Sequence, residues 1–157
     1  MDVILIAAVT ANGMIARNSD EVVGWSEDLS LFLEQTMGHA VIMGTNTENT
    51  LSADLKGREM IVVHREMKPE NVLNQIDAVK CFVIGGARTY SRFAPYLTHL
   101  FLTPHPIVMK SGSLPLFSHL KQELELDFLR MIEVNGERGI YQYQYRVKQL
   151  YLSQHYT

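Results

Sequence analysis

The sequence of 157 residues contains a single cysteine, Cys81, which lies inside a short apolar run. One cysteine cannot form a disulfide within the chain, so the fold depends on its hydrophobic core rather than on covalent cross-links. We predict that Cys81 is a buried, reduced thiol, which suits a cytoplasmic protein. The sequence also lacks Cys-x-x-Cys and His-x-x-x-His pairs, so we expect no metal site.

Basic charge and long apolar runs are scarce as well. The chain has 14 Lys and Arg against 17 Asp and Glu, a net charge of −3, so we expect no large basic surface for nucleic acid. The apolar run from Val3 to Val9 is too short to span a membrane, and it lacks the positively charged leader of a signal peptide. These absences favour a cytoplasmic protein that partners neither nucleic acid nor membrane.

Short apolar runs alternate with amphipathic stretches, a pattern typical of α/β proteins. Predicted strands cover residues 3–9, 40–43, 60–63, 81–84 and 100–103, and predicted helices cover 71–77 and 88–94. Ser26 is expected to cap a further helix whose first turn contains Glu27 and Asp28. Two longer strands, 124–134 and 140–147, are predicted to form a hairpin near Asn135-Gly136.

The fold class follows from this order of elements. We predict an α/β protein in which residues 1–157 form a single three-layer domain, with a mixed, mostly parallel central sheet, helices on both faces and a C-terminal antiparallel hairpin. Residues 148–157 form a tail after the hairpin. Its aromatic residues either pack on a partner or have no fixed structure, so the protein is expected to be a monomer or a homodimer.

Two predicted strands end in glycine and lead into residues that can begin a helix. One turn is Gly85-Gly86, followed by Arg88, and the other is Gly44, followed by hydroxyl side chains. Glycine lets backbone N–H groups approach a phosphate, a helix N-terminus attracts it, and an arginine can add a bidentate contact. Side by side in a parallel sheet, two such turns can bind both ends of a dinucleotide. Neither matches G-x-G-x-x-G or the P-loop, which disfavours an ordinary Rossmann domain or a nucleotide triphosphatase.

Seven segments, in their order and spacing, resemble the dihydrofolate reductase family from residue 3 to about residue 147. They are Val3 to Val9, Asn12-Gly13-Met14-Ile15-Ala16, Trp25 with Asp28-Leu29-Ser30-Leu31-Phe32, Val41-Ile42-Met43-Gly44, Lys56-Gly57-Arg58, Ile84-Gly85-Gly86-Ala87-Arg88-Thr89-Tyr90, and Leu100 to Thr103. The resemblance implies an NADPH-dependent reductase of one-carbon metabolism that converts 7,8-dihydrofolate to tetrahydrofolate.

The resemblance also implies roles for individual residues. The expected catalytic residues are Asp28, Trp25 and Thr103. The expected substrate-binding residues are Ile6, Ala7, Leu29, Phe32, Leu51 and Arg58. The expected cofactor-binding residues are Ala8, Ile15, Gly44, Thr45, Asn46, Thr47, His64, Arg65, Ile84, Gly85, Gly86, Ala87, Arg88, Thr89 and Tyr90.

The residues alone leave two interpretations of Asp28 open. A carboxyl group in an apolar cleft has a raised pKa and can take part in proton transfer near neutral pH. An acid in a first helical turn is otherwise a solvated side chain that favours the helix N-terminus. Glu27 is the rival carboxylate, but successive helical residues point about 100° apart. Only one of the two can face a cleft, and Asp28 shares a helix face with Phe32.

Three departures from the family pattern bear on substrate and cofactor, and one of them is Glu48 at a position that is often aromatic near the substrate mouth. The interval from Trp25 to Asp28 is shorter than the family usually shows, and Thr45 stands where many members carry an arginine that contacts the adenosine phosphate. We expect Arg65 and Arg88 to replace that contact, and we predict a preference for NADPH over NADH.

Two alternative functions stay open. One is the reductase of riboflavin biosynthesis, which acts on a ribosylaminopyrimidine phosphate and shares this fold. Lys56 and Arg58 can bind a substrate phosphate as readily as a carboxylate. The other is a non-catalytic nucleotide-binding relative that has kept the fold but lost turnover.

Overall fold

A computed structural model describes residues 1–51 and 53–148. The strands are β1 (Asp2–Thr10), β2 (Met14–Ala16), β3 (Ala40–Gly44), β4 (Glu59–Val63), β5 (Lys80–Gly85), β6 (His99–His105), β7 (Leu114–Pro115), β8 (Leu126–Asn135) and β9 (Ile140–Val147). The helices are α1 (Leu29–Thr36), α2 (Thr45–Thr50), α3 (Pro69–Asn74) and α4 (Ala87–Phe93), and short 3₁₀ turns span Ala94–Tyr96 and Gly136–Arg138. The prediction about the aromatic residues of the tail lies outside the described residues.

Seven strands form one mixed sheet in the order β4-β3-β5-β1-β6-β9-β8. The neighbours from β4 through to β6 are parallel, whereas β9 pairs antiparallel with both β6 and β8. The two short strands β2 and β7 form a separate antiparallel pair. The predicted mixed, mostly parallel sheet with a C-terminal hairpin is confirmed. The parallel part brings the carboxyl ends of five strands to one edge.

The central strands are buried on both faces because helices cover the sheet on each side. On one face, Leu5 and Val83 pack in a core that includes Phe93 of α4. On the other face, Ile6 and Phe82 belong to a second core, against which α1 packs. Strands covered on both sides read as continuous apolar runs, which is why β1, β3 and β5 are visible in the sequence.

Several predicted boundaries were wrong. Helix α1 begins at Leu29, so Ser26 does not cap it, and Glu27 and Asp28 precede its first turn. Helix α3 spans Pro69–Asn74 rather than 71–77, since proline is well suited to the first helical turn. Strand β8 begins at Leu126, two residues later than predicted, but the hairpin turn follows Asn135 as expected. Helix α2 consists of six polar residues and therefore has no apolar face to reveal it.

Candidate active site

A cleft of about 670 Å³ opens at the carboxyl ends of the parallel strands. Its walls include Leu29 and Phe32 of α1, the glycine turns after β3 and β5, and the loop that follows β2. Within the described part of the chain, the cleft is lined by all of the predicted site residues except Trp25, Thr103 and Arg58. The fold therefore brings the two glycine turns and Asp28 to one cavity, although they are far apart in the sequence.

The three exceptions lie next to the cleft or beyond its rim. Thr103 is fully buried in β6, and Trp25 meets the His105 ring edge-on at 5.3 Å between ring centroids. Arg58 donates to Leu33 O at 2.5 Å and to Thr36 Oγ1 at 3.1 Å. The Arg58 side chain is therefore bound to the C-terminal end of α1, where it lines a groove together with Leu33. Its predicted contact with a substrate carboxylate stays a prediction.

Asp28 is the buried carboxyl group of the cleft, with 7% of its surface exposed. It immediately precedes α1, and its carbonyl oxygen accepts the Phe32 N–H at 2.9 Å. Burial raises the pKa of Asp28, and the Thr103 hydroxyl opposes part of that rise. The Thr103 hydroxyl makes no hydrogen bond of good geometry within residues 1–51 and 53–148, so its influence on Asp28 reflects proximity.

Glu27, the rival carboxylate, points elsewhere. Its Oε1 accepts a hydrogen bond from Asn135 Nδ2 at 2.9 Å, and its Oε2 forms an ion pair with Arg138. Both partners lie at the turn of the C-terminal hairpin. Of the two neighbouring acids, Asp28 alone is in the lining of the cleft in the described part of the chain, as the sequence analysis expected.

The raised pKa of Asp28 has a consequence for stability. A carboxyl group whose pKa is higher in the folded than in the unfolded chain favours folding at low pH, and that contribution is lost as pH rises through the folded-state pKa. We therefore expect Asp28→Asn to unfold at a higher urea concentration than the wild type at pH 7. This difference in urea concentration should become smaller as the pH falls toward the ordinary pKa of aspartate, near pH 4.

Urea titrations at pH 7 and near pH 4 measure this effect, and Asp77→Asn is the matched control. Asp77 is exposed, so the same change there should give no comparable pH-dependent difference. An Asp28→Asn protein that is less stable than the wild type by the same amount at both pH values would contradict the expectation.

The other end of the cleft is shaped by close approach of backbone and side chains. A Cβ at Gly44 would lie 2.7 Å from Thr89 Oγ1, and one at Gly85 would lie 3.1 Å from Thr47 Oγ1. Gly85 also has a φ of +136°, a conformation that L side chains rarely adopt. The peptide bond between Gly85 and Gly86 is cis. The two turns, Gly44 to Thr47 and Gly85 to Thr89, form a cradle that stays open only with glycine at positions 44 and 85. This cradle fits an extended, phosphate-bearing cofactor.

Basic side chains surround this end of the cleft. Arg65 and Arg88 are exposed and line it. Arg92, which the sequence analysis missed, also lines it and donates to the backbone oxygens of His64 and Met67. It thereby ties the loop after β4 to α4. Its spacing of four residues from Arg88 is the signal that could have pointed to it.

Part of the lining comes from residues that the sequence analysis did not assign to the site. These are Ala16, Asn18, Ser19, Glu21, Val23, Ser26, Thr50, Val63, Leu114 and Ser118. Glu21 is held by Arg17, whose Nη1 lies 2.6 Å from Glu21 Oε2. The segment from Asn12 to Trp25 therefore borders the cleft, and which of its side chains face inward depends on its three-dimensional path.

Comparison with known proteins gives concordant matches. The family model described as dihydrofolate reductase matches residues 2–108. The chain is 33% identical over 110 residues to dihydrofolate reductase of Bacillus subtilis (strain 168), covering 62% of this chain and 66% of that relative, just under two thirds. It is 35% identical over 121 residues to dihydrofolate reductase type 8 of Escherichia coli, covering 62% and 70%.

Two further matches are one more relative and one solved structure. Dihydromethanopterin reductase of Methylorubrum extorquens is 29% identical over 115 residues, covering 68% of this chain and 84% of that relative. The solved structure of dihydrofolate reductase from Enterococcus faecalis, complexed with NADP(H) and RAB-propyl, superposes with a TM-score of 0.71. That match covers 94% of this chain and 97% of the other at 15% identity, so it supports the fold.

The described residues contain neither a membrane-spanning helix nor a cluster of metal-ligating side chains. In residues 1–51 and 53–148, no helix is both long and apolar enough to cross a membrane. The same residues contain no group of three or more His, Cys, Asp or Glu side chains placed to hold a metal ion.

Proposed function

Because the chain belongs to the dihydrofolate reductase family, we propose that it is an NADPH-dependent reductase that converts 7,8-dihydrofolate to tetrahydrofolate. The proposal rests on Asp28, a buried carboxyl group in the same cleft as the glycine turns at Gly44 and Gly85. A buried acid with a raised pKa next to a cofactor cradle is the arrangement that a hydride transfer coupled to ring protonation requires.

The cofactor end of the cleft would hold NADPH. The turns from Gly44 to Thr47 and from Gly85 to Thr89 would contact its phosphates, with Arg65 and Arg88 as the charged donors. When bound, the cofactor supplies the hydride. Ala8 and Ile15 also line the cleft, and the nicotinamide would meet the substrate beside them.

The substrate end of the cleft contains the carboxyl group of Asp28 between apolar side chains. Asp28 would accept hydrogen bonds from the amidine group of the pterin and make the reacting ring more basic, while Leu29 and Phe32 pack against its faces. Burial keeps the pKa of Asp28 raised, which suits a group that manages a proton near neutral pH. Closure of the loop from Asn12 to Trp25 would exclude water and strengthen these interactions.

The direct test follows NADPH oxidation by the purified protein in the presence of 7,8-dihydrofolate. Turnover that depends on dihydrofolate supports the proposal. Turnover with a ribosylaminopyrimidine phosphate instead would identify the riboflavin-type reductase. NADPH binding without reduction of either substrate would favour the non-catalytic relative.

The basic residues around the cradle predict cofactor preference. Because Arg65 can contact a 2′-phosphate that NADH lacks, we expect NADPH to give the higher kcat/KM. Charge-assisted hydrogen bonds contribute about 1.5–3 kcal/mol, so Arg65→Gln should reduce the preference by about tenfold or more. Arg146→Gln, an exposed arginine on β9, is the control and should leave it unchanged. Equal efficiency of the wild type with both cofactors would refute this prediction.

We also propose a cytoplasmic location, which the state of Cys81 supports. Its side chain is fully buried, and burial raises the pKa of the thiol to about 11. A protonated, inaccessible thiol is unreactive and compatible with a reducing compartment. The expected oligomeric state, a monomer or a homodimer, stays a prediction.

A further inference from the structure

His105 ends strand β6 and is 98% buried beside the catalytic cleft, at 2% exposure. Its Nδ1 lies 2.8 Å from Thr103 O, and its Nε2 accepts the backbone N–H of Glu27 at 3.0 Å. A carbonyl oxygen can only accept and a backbone N–H can only donate, so the ring is neutral and carries its proton on Nδ1. Both nitrogens are thereby committed, and the ring orientation is fixed.

His105 accepts a hydrogen bond from Glu27, the residue directly before Asp28. The Glu27 backbone is fixed by the imidazole, and the Glu27 side chain is fixed by Asn135 and Arg138 of the hairpin turn. Trp25, two residues before Glu27, packs edge-on against the same ring. The chain that leads into α1 is therefore anchored at the position from which the Asp28 side chain enters the cleft.

We propose that His105 is a positioning residue, which fixes the Asp28 carboxyl group for the pterin substrate through its hydrogen bond to the Glu27 backbone. The inference rests on the proposed function and adds a residue to its machinery. His105 itself is absent from the described lining of the cleft, so it acts through Glu27 and does not touch the substrate.

The placement of His105 predicts a selective effect. The cofactor turns end β3 and β5, and β1 separates them from β6 in the sheet. Loss of the hydrogen bond should shift Asp28 but leave the cradle at Gly44 and Gly85 in place. Misplacement of a catalytic group by about 1 Å can lower the rate by about 100-fold, so a selective loss of pterin reduction is the expected signature.

The most informative pair of variants is His105→Met and His105→Gln. The two side chains have similar length and shape, but glutamine retains an oxygen that can accept the Glu27 N–H, whereas methionine offers only a weak acceptor. His99→Met is the matched control, because His99 lies at the opposite end of the same strand. His105→Phe is a second test of the same loss should His105→Met not fold, because it keeps a ring against Trp25.

Three measurements are made on each folded variant: kcat and KM with dihydrofolate, the Kd of NADPH, and hydrogen exchange of the Glu27 amide. We expect His105→Met to lower kcat/KM for dihydrofolate by about 10- to 100-fold, with the NADPH Kd within about twofold of the wild type. The Glu27 amide should exchange faster in His105→Met than in the wild type. His105→Gln should restore most of the kcat/KM for dihydrofolate and most of the protection of the Glu27 amide.

Two results would overturn the proposal. One is a Glu27 amide that stays equally protected in His105→Met, and the other is a parallel loss of NADPH and dihydrofolate affinity, which would indicate general structural damage. Failure of the proposed function is a separate result, since a folded wild type with no activity on dihydrofolate would refute that function. In that case the exchange rates of the Glu27 amide, together with folate binding followed through Trp25 fluorescence, would still decide the role of His105.

Discussion

Replacing Asp28 with asparagine is expected to lower turnover with NADPH and dihydrofolate by about 10²- to 10⁴-fold at neutral pH. Asparagine preserves the shape of the side chain but removes the charge and the titratable proton. The amidine group of the pterin then loses its ionic partner, and the ring loses the group that raises its basicity. The Kd of NADPH should stay within about twofold, because the cofactor cradle is formed by other strand ends.

Steady-state kinetics and equilibrium NADPH binding measure the two halves of this prediction. Asp77→Asn is the control, since it makes the same chemical change on the exposed surface and should retain full activity. If Asp28→Asn turned over at the wild-type rate, the enzyme would have to use another acid. Glu27 would be the first to test, although the structure engages its carboxylate with Asn135 and Arg138.

Gly85→Ala is expected to weaken NADPH binding by roughly tenfold or more and to destabilise the protein by about 1–3 kcal/mol. The destabilisation follows from a φ of +136°, which alanine rarely adopts. The loss of binding follows from the added methyl group, which would lie 3.1 Å from Thr47 Oγ1 and 3.6 Å from the Tyr90 hydroxyl. The Thr47 side chain would have to move by a few tenths of an ångström within the cradle proposed for the cofactor, whereas 3.6 Å from the Tyr90 hydroxyl is an ordinary van der Waals contact.

Gly112→Ala separates the two effects. Gly112 also has a positive φ, +90°, but a Cβ there would meet no atom of the described chain within 4 Å. It is exposed and lies outside the described lining of the cleft. The variant should lose stability in urea titrations yet bind NADPH like the wild type. Equal NADPH affinity of Gly85→Ala and the wild type would show that the cofactor does not use this turn.

The sequence by itself determined the elements whose signals are local. Strands buried on both faces appear as uninterrupted apolar runs, so β1, β3 and β5 could be placed to within about a residue. The turns at Gly44 and Gly85 follow from glycine directly after such a run. Because the carboxyl ends of parallel strands share one edge, these local features were enough to predict that both turns contribute to one cleft. The role of Asp28 was left open by the residues alone and came from the family resemblance.

The start of α1 and the anchoring of Asp28 were decided only by tertiary contacts. A serine followed by two acids is a good local signal for a helix start, yet α1 begins at Leu29. The Glu27 backbone binds His105, 78 residues away, and its side chain binds Asn135, 108 residues away. Contacts over such separations leave no periodicity or spacing in the sequence. The family resemblance therefore pointed to Asp28 as the acid, while partners from β6 and the C-terminal hairpin determined where that acid points.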